Sequence, residues 1–245
     1  MVRERRLRWR IPDILESAIT GQIIRRVERR AKYLLIGFDT GTLIVHLGMS
    51  GSLRVLDAAV SPRVHDHWDI RVDSGKALRF HDPRRFGSAH WTPTDPLAHP
   101  LLAKLAPEPL SPGFDADYLF RATRKRAVAI KQFIMNSQRV VGVGNIYASE
   151  ALFRARISPR RAAGRLTRAE ATALTRAIRD VLAQAIEIGG TSLRDYVNAD
   201  GIPGYFRQQL FVYERAGEAC RVCKTPVRQF TQGQRSTYWC RVCQR

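Results

Sequence analysis

The chain has 245 residues, with 41 Lys or Arg against 22 Asp or Glu and a formal net charge of +19. Its 44% hydrophobic and 26% charged content is that of one or two packed domains and excludes a disordered chain. No apolar run approaches the roughly 18–20 residues of a membrane helix, and the Arg-rich start has no apolar stretch behind it, which predicts a cytoplasmic protein without signal peptide. The surplus of bases points to a polyanionic partner, nucleic acid first, because each phosphate neutralised releases a counterion. A preference for Arg codons accounts for Arg over Lys but not for bases over acids.

From about Ala31 to Trp91 the pattern is strand-like. Tyr33 to Phe38 and Thr42 to Leu47 flank the turn signal Asp39-Thr40-Gly41, and His67 to Val72 and Ala77 to Phe80 flank Asp73-Ser74-Gly75-Lys76. Ser50-Gly51 and Phe86-Gly87 mark bends. An all-β sandwich follows. Pro107 to Gly113 is dense in breakers and reads as a hinge. Beyond it lie short helices: Ala127 to Met135 is apolar with Lys131 on one side, and Ala148 to Arg156 is amphipathic. Thr167-Arg168-Ala169-Glu170 is a capping box that opens a long helix to about Ile188, where Gly189-Gly190 stops it. Asp200 to Gly204 is a second breaker cluster.

All four cysteines fall in the C-terminal tail. Cys220 and Cys223, then Cys240 and Cys243, form two CxxC pairs, and two such turns present four thiolates to one tetrahedral Zn2+ with no open position for water. A structural zinc is therefore predicted, in preference to disulfides in a cytoplasmic chain. Between the pairs, Thr225 to Trp239 reads as a hairpin with Gln232-Gly233-Gln234-Arg235 at its tip, so that Arg235 projects as a cation suited to a phosphate.

Several segments, in order, resemble the formamidopyrimidine-DNA glycosylase family, in its formamidopyrimidine branch more than its endonuclease VIII branch. They are Arg29 to Leu34, His46 to Arg54, Asp82-Pro83-Arg84-Arg85-Phe86-Gly87, Val141 to Glu150, Asp200 to Phe206, and the cysteine ribbon. The resemblance implies an α+β multidomain fold. It has an incomplete N-terminal β-sandwich over residues 1–106, a hinge over 107–114, a helix-two-turn-helix domain over 115–205, and a four-cysteine zinc finger over 206–245. It also implies a monomer that excises oxidised purines such as 8-oxoguanine and formamidopyrimidines from double-stranded DNA and cleaves the abasic strand by β,δ-elimination. Lys32 matches the family proton donor of β-elimination. Arg235 matches the finger arginine on the phosphate beside the lesion. His65, Arg84 and Asn145 match DNA contacts, and Glu150 matches a secondary active-site carboxylate, with a surface pair to Arg154 as its alternative. Met49, Arg84 and Phe86 match the side chains that fill the gap left by an everted base; by residue type alone Met49 and Phe86 read as core. The loop from Gly204 to about Glu218 matches the one that closes over that base.

The family nucleophile is the secondary amine of an N-terminal proline followed by glutamate. This sequence opens Met1-Val2-Arg3-Glu4-Arg5-Arg6 and joins the family pattern about 30 residues in. The expectation is a chain without that proline, with weak or absent base excision. The competing reading is a non-catalytic protein that binds damaged or abasic DNA.

Overall fold

The computed structural model describes residues 1–188 and 210–245, which fall into two compact units, one of Met1–Ala103 and one of the described residues from Lys104 onward. In the first, seven strands form two antiparallel sheets. The four-stranded sheet contains β1 (Arg26–Arg30), β2 (Tyr33–Gly37), β3 (Thr42–His46) and β7 (Ser88–Thr92) in that order. The three-stranded sheet has β6 (Lys76–His81) between β4 (Ser52–Asp57) and β5 (Asp66–Arg71). Alternate residues of the strands point into one core: Ile36, Leu43, Val45 and Ala89 meet Trp68, Ile70 and Phe80, with Ile11 and Leu15 of the short helix α1 (Leu15–Ile19) at its margin. Trp68 and Phe80 stack at 5.2 Å between centroids.

Both expected hairpins form, β2–β3 around Asp39-Thr40-Gly41 and β5–β6 around residues 72–75. Strand β1 lies outside the pattern read from sequence. Four of its five residues are exposed and its arginines erase the period-two signal, yet it pairs with β2 in register Arg30↔Tyr33. The connecting turn is Ala31-Lys32, and Ala31 takes a left-handed φ of 53°.

In the second unit, α2 (Ala116–Thr123), α3 (Ile130–Ile134), α4 (Asn145–Arg154) and α5 (Arg168–Glu187) enclose a core that includes Phe114, Leu119, Ile130, Leu152, Leu174 and Ile178. The capping box is present in both directions: the Thr167 hydroxyl accepts from Glu170 N, and the Glu170 carboxylate accepts from Thr167 N. Helix α3 is shorter than the apolar run suggested because Ala129 is still extended. Helix α4 starts three residues early, since Gly144 is extended and makes Asn145 its first residue, and it stops before Arg156, which sits at φ 59°. The Gly189-Gly190 stop, the Asp200 to Gly204 cluster and the first part of the 204–218 loop lie outside the described residues. The tail closes with the hairpin β8 (Arg228–Gln232) and β9 (Arg235–Trp239). Among the described residues no helix is long and apolar enough to cross a membrane.

Candidate nucleic-acid interface and zinc centre

In the first unit, two loops carry three of the predicted contacts side by side. Met49 lies in the β3–β4 loop and is 67% exposed; Phe86 lies between β6 and β7 and is 42% exposed. Neither is a core residue, which corrects the reading from residue type. The Arg84 guanidinium sits 4.9 Å from the Phe86 ring centroid, so a cation covers an aromatic face on the surface. The loops approach so closely that a Cβ on Gly48 would lie 2.6 Å from Gly87 N, and Gly48 has φ 71°. Only glycine fits there on either count.

His65 is exposed, at φ 73°, with its ring 6.2 Å from that of His81. Lys32 is exposed at the tip of the β1–β2 hairpin. It faces His46, whose pKa is lowered first by burial and then by the charges of Lys32 and Arg8. The His46 ring lies tilted against that of Tyr33, 4.9 Å between centroids, and accepts from Gly48 N through Nδ1.

In the second unit the finger hairpin is bolted to the helices from beneath. Gly233 and Gln234 form its two-residue turn, both at positive φ of 56° and 60°. That turn type matches strand twist and leaves Arg235 exposed opposite Gln232. Lys131 of α3, only 1% exposed, donates to Asn145 Oδ1 at 2.6 Å, Ser236 O at 3.1 Å and Thr237 Oγ1 at 2.7 Å. Burial, with the neighbouring Arg235 charge adding to it, pulls its pKa down to about 8. Asn145 in turn donates from Nδ2 to Ser236 O at 3.0 Å and the Tyr213 hydroxyl at 3.4 Å. The first residue of α4 and the strand that carries the finger arginine are thus held by one polar junction.

Glu150 is fully buried and faces no solvent, which overturns the surface pair with Arg154. Its carboxylate accepts from the backbone N–H groups of Phe211, Val212 and Tyr213 at 2.8–3.0 Å. Lys131 and Asp82, the latter a fully buried acid between the two loops of the first unit, were not among the site residues expected from sequence. The available signal for Lys131 was a lone charge in an apolar helical run.

The four cysteine sulfurs lie within 4.8 Å of one another, with Cys223 and Cys240 at 3.4 Å and Cys220 and Cys243 at 3.9 Å. A tetrahedral zinc with Zn–S bonds of about 2.3 Å needs sulfurs about 3.8 Å apart, so the set fits one structural Zn2+ with no position left for catalysis. Backbone turns shape each pair: Lys224 N donates to Cys220 O and Gln244 N to Cys240 O, each at 3.0 Å. Phe153 and Val212 pack on the cysteines, and Arg160 lies 4.0 Å from the Phe230 ring of the hairpin.

Two family models match the chain, the formamidopyrimidine-DNA glycosylase N-terminal domain over residues 1–89 and the formamidopyrimidine-DNA glycosylase H2TH domain over residues 105–197. The chain is 63% identical over all of its 245 residues to a formamidopyrimidine-DNA glycosylase of Thioalkalivibrio sulfidiphilus, and 58% identical to one of Stutzerimonas stutzeri, covering 90% of each relative. Among solved structures it resembles the MutM (Fpg) protein of Thermus thermophilus, with a TM-score of 0.87 and 40% identity over 96% of this chain and 86% of that one. It also resembles Lactococcus lactis Fpg in complex with DNA containing an abasic site, with a TM-score of 0.91 and 31% identity over 100% of this chain and 90% of that one. The chain therefore belongs to the formamidopyrimidine-DNA glycosylase family.

Proposed function

We propose that the protein is a bifunctional DNA glycosylase and abasic-site lyase that repairs oxidised purines in double-stranded DNA, acting as a monomer in the cytoplasm. The observation that carries this reading is the exposure of Met49 and Phe86 beside Arg84 on two interlocked loops. Apolar and planar groups held out of the core in this way suit the space that an everted nucleotide leaves in a duplex. Arg235 and Asn145 take phosphates, the latter at the amino end of α4, where the helix dipole favours an anion; His65 adds a contact from the first unit. Lys32 moves the proton in strand elimination, a task that an amine performs as acid or base. Glu150 supports this chemistry indirectly, by holding residues 211–213. Zinc, bound by Cys220, Cys223, Cys240 and Cys243, stabilises the finger and takes no part in the reaction.

The test is binding and strand cleavage on matched duplexes, one with 8-oxoguanine and one undamaged, at the same salt. Tighter binding to the damaged duplex by about tenfold or more, with cleavage that falls in Lys32→Ala, supports the reading. Lesion-selective binding without cleavage favours the non-catalytic alternative. Equal affinity for both duplexes overturns both.

A further inference from the structure

We infer that Asp82 is a positioning residue that sets the gap-filling side chains, an inference that rests on the functional reading above. Asp82 is fully buried, and each of its carboxylate oxygens is spent on a different loop. Oδ1 accepts from Ser50 Oγ at 2.7 Å, immediately after Met49, and Oδ2 accepts from Gly87 N at 2.8 Å, immediately after Phe86. Its main chain extends the same framework. The carbonyl accepts from His67 Nε2 at 2.8 Å and from Arg85 N at 3.2 Å, and the amide donates to His65 O at 3.0 Å. One residue is therefore bonded to the neighbours of Met49, Arg84 and Phe86 and to the backbone of His65.

The physical reason for an acid at this point is its symmetry. A carboxylate is acceptor-only at two oxygens, so it satisfies a hydroxyl and a backbone N–H on opposite sides at once. Gly48 and Gly87 let the loops touch just beyond the His46↔Ser88 pair of β3 and β7, where strand pairing already sets the register. Past that pair the two hydrogen bonds tie both loops to one group, and wedge side chains work only when held within about 0.5 Å of their working position. Asparagine reproduces this arrangement, with its amide oxygen toward Gly87 N and its NH2 toward Ser50 Oγ, whereas alanine leaves both donors buried and unpaired.

The experiment uses the full chain and its Asp82→Ala, Asp82→Asn and Ser50→Ala variants. The probe is a duplex with a tetrahydrofuran abasic analogue opposite 2-aminopurine, and its emission reports what enters the gap. Affinity is read separately by anisotropy on a second label. In Asp82→Ala and Ser50→Ala, affinity stays within about threefold because phosphate contacts dominate it. In both, the 2-aminopurine response at saturation drops to about half or less of that of the parent chain. Asp82→Asn restores it. An undiminished response in Ser50→Ala overturns the inference even if Asp82→Ala fails to fold, and so does an Asp82→Asn response as weak as that of the alanine variants. Failure of the parent chain to bind the abasic duplex takes down the functional reading itself, and this inference with it.

Discussion

Glu150 shows how a single side chain acquires a role that its neighbours in sequence do not announce. On a helix wheel it faces Arg154 one turn on, and a pair of that kind contributes about 0.3–0.5 kcal/mol at most. In the fold it is enclosed and serves three consecutive amides, at Phe211, Val212 and Tyr213. Each buried N–H left without an acceptor costs about 1–3 kcal/mol, so Glu150→Ala is expected to lose about 3 kcal/mol or more of stability. Urea denaturation checks this, and a loss below about 1 kcal/mol places the residue back on a solvated surface. Lys131 follows the same logic with opposite charge. Its three acceptors are carbonyl, amide and hydroxyl oxygens, which stabilise an ammonium that burial disfavours.

At the scale of elements, strand β7 carries a weak point. His90 is half-buried between Trp9 and His99, each 5.5 Å away between ring centroids, and its Nε2 has no hydrogen-bond partner among the described residues. Burial, then the neighbouring His99 and His46, lower its pKa to about 4. The unfolded chain takes up a proton near pH 6.5 while the folded one does not until about pH 4, so stability falls as pH drops through that window and levels off below it. With allowance for the solvent around a half-exposed ring, the loss is about 1 kcal/mol. Thermal melts of the protein and of His90→Phe between pH 7 and 4 check it: the variant is expected to lose less over this range, and equal losses remove His90 as the source. The other elements divide by whether their pattern is local. The hairpin turns, the capping box of α5 and the finger hairpin were legible because a few adjacent residues decide them. Strand β1 was not, because only pairing with β2 makes a strand of an Arg-rich segment.

Across the whole molecule, the surplus charge is uneven in its consequences. Several arginines are spent internally: Arg79 and Arg3 on Asp69, Arg5 on Glu16, Arg161 on Glu170. These pairs take up four arginines against three acids, so nearly all of the net +19 is left to the rest of the chain. DNA affinity is then expected to fall with salt, with a log–log slope of about −0.9 per phosphate engaged. Arg235→Ala should flatten that slope by about one unit and weaken binding to damaged and undamaged duplexes alike. Anisotropy titrations at four or five salt concentrations measure it, and a slope unchanged by the substitution removes Arg235 from the phosphate contacts.

By itself the sequence determined the chain's chemistry of parts: a zinc ligand set by spacing, a basic surface by count, hairpins and a capped helix by local pattern, and a family by its ordered motifs. Tertiary structure alone decided which side chains are withheld from solvent and which are presented to it. Met49 and Phe86, apolar by type, lie outside, while Glu150, Lys131 and Asp82, charged by type, lie inside. The reason is that burial depends on partners distant in the chain. Three amides more than 60 residues away donate to Glu150, a hairpin more than 100 residues away supplies acceptors to Lys131, and a loop 32 residues earlier helps to enclose Asp82.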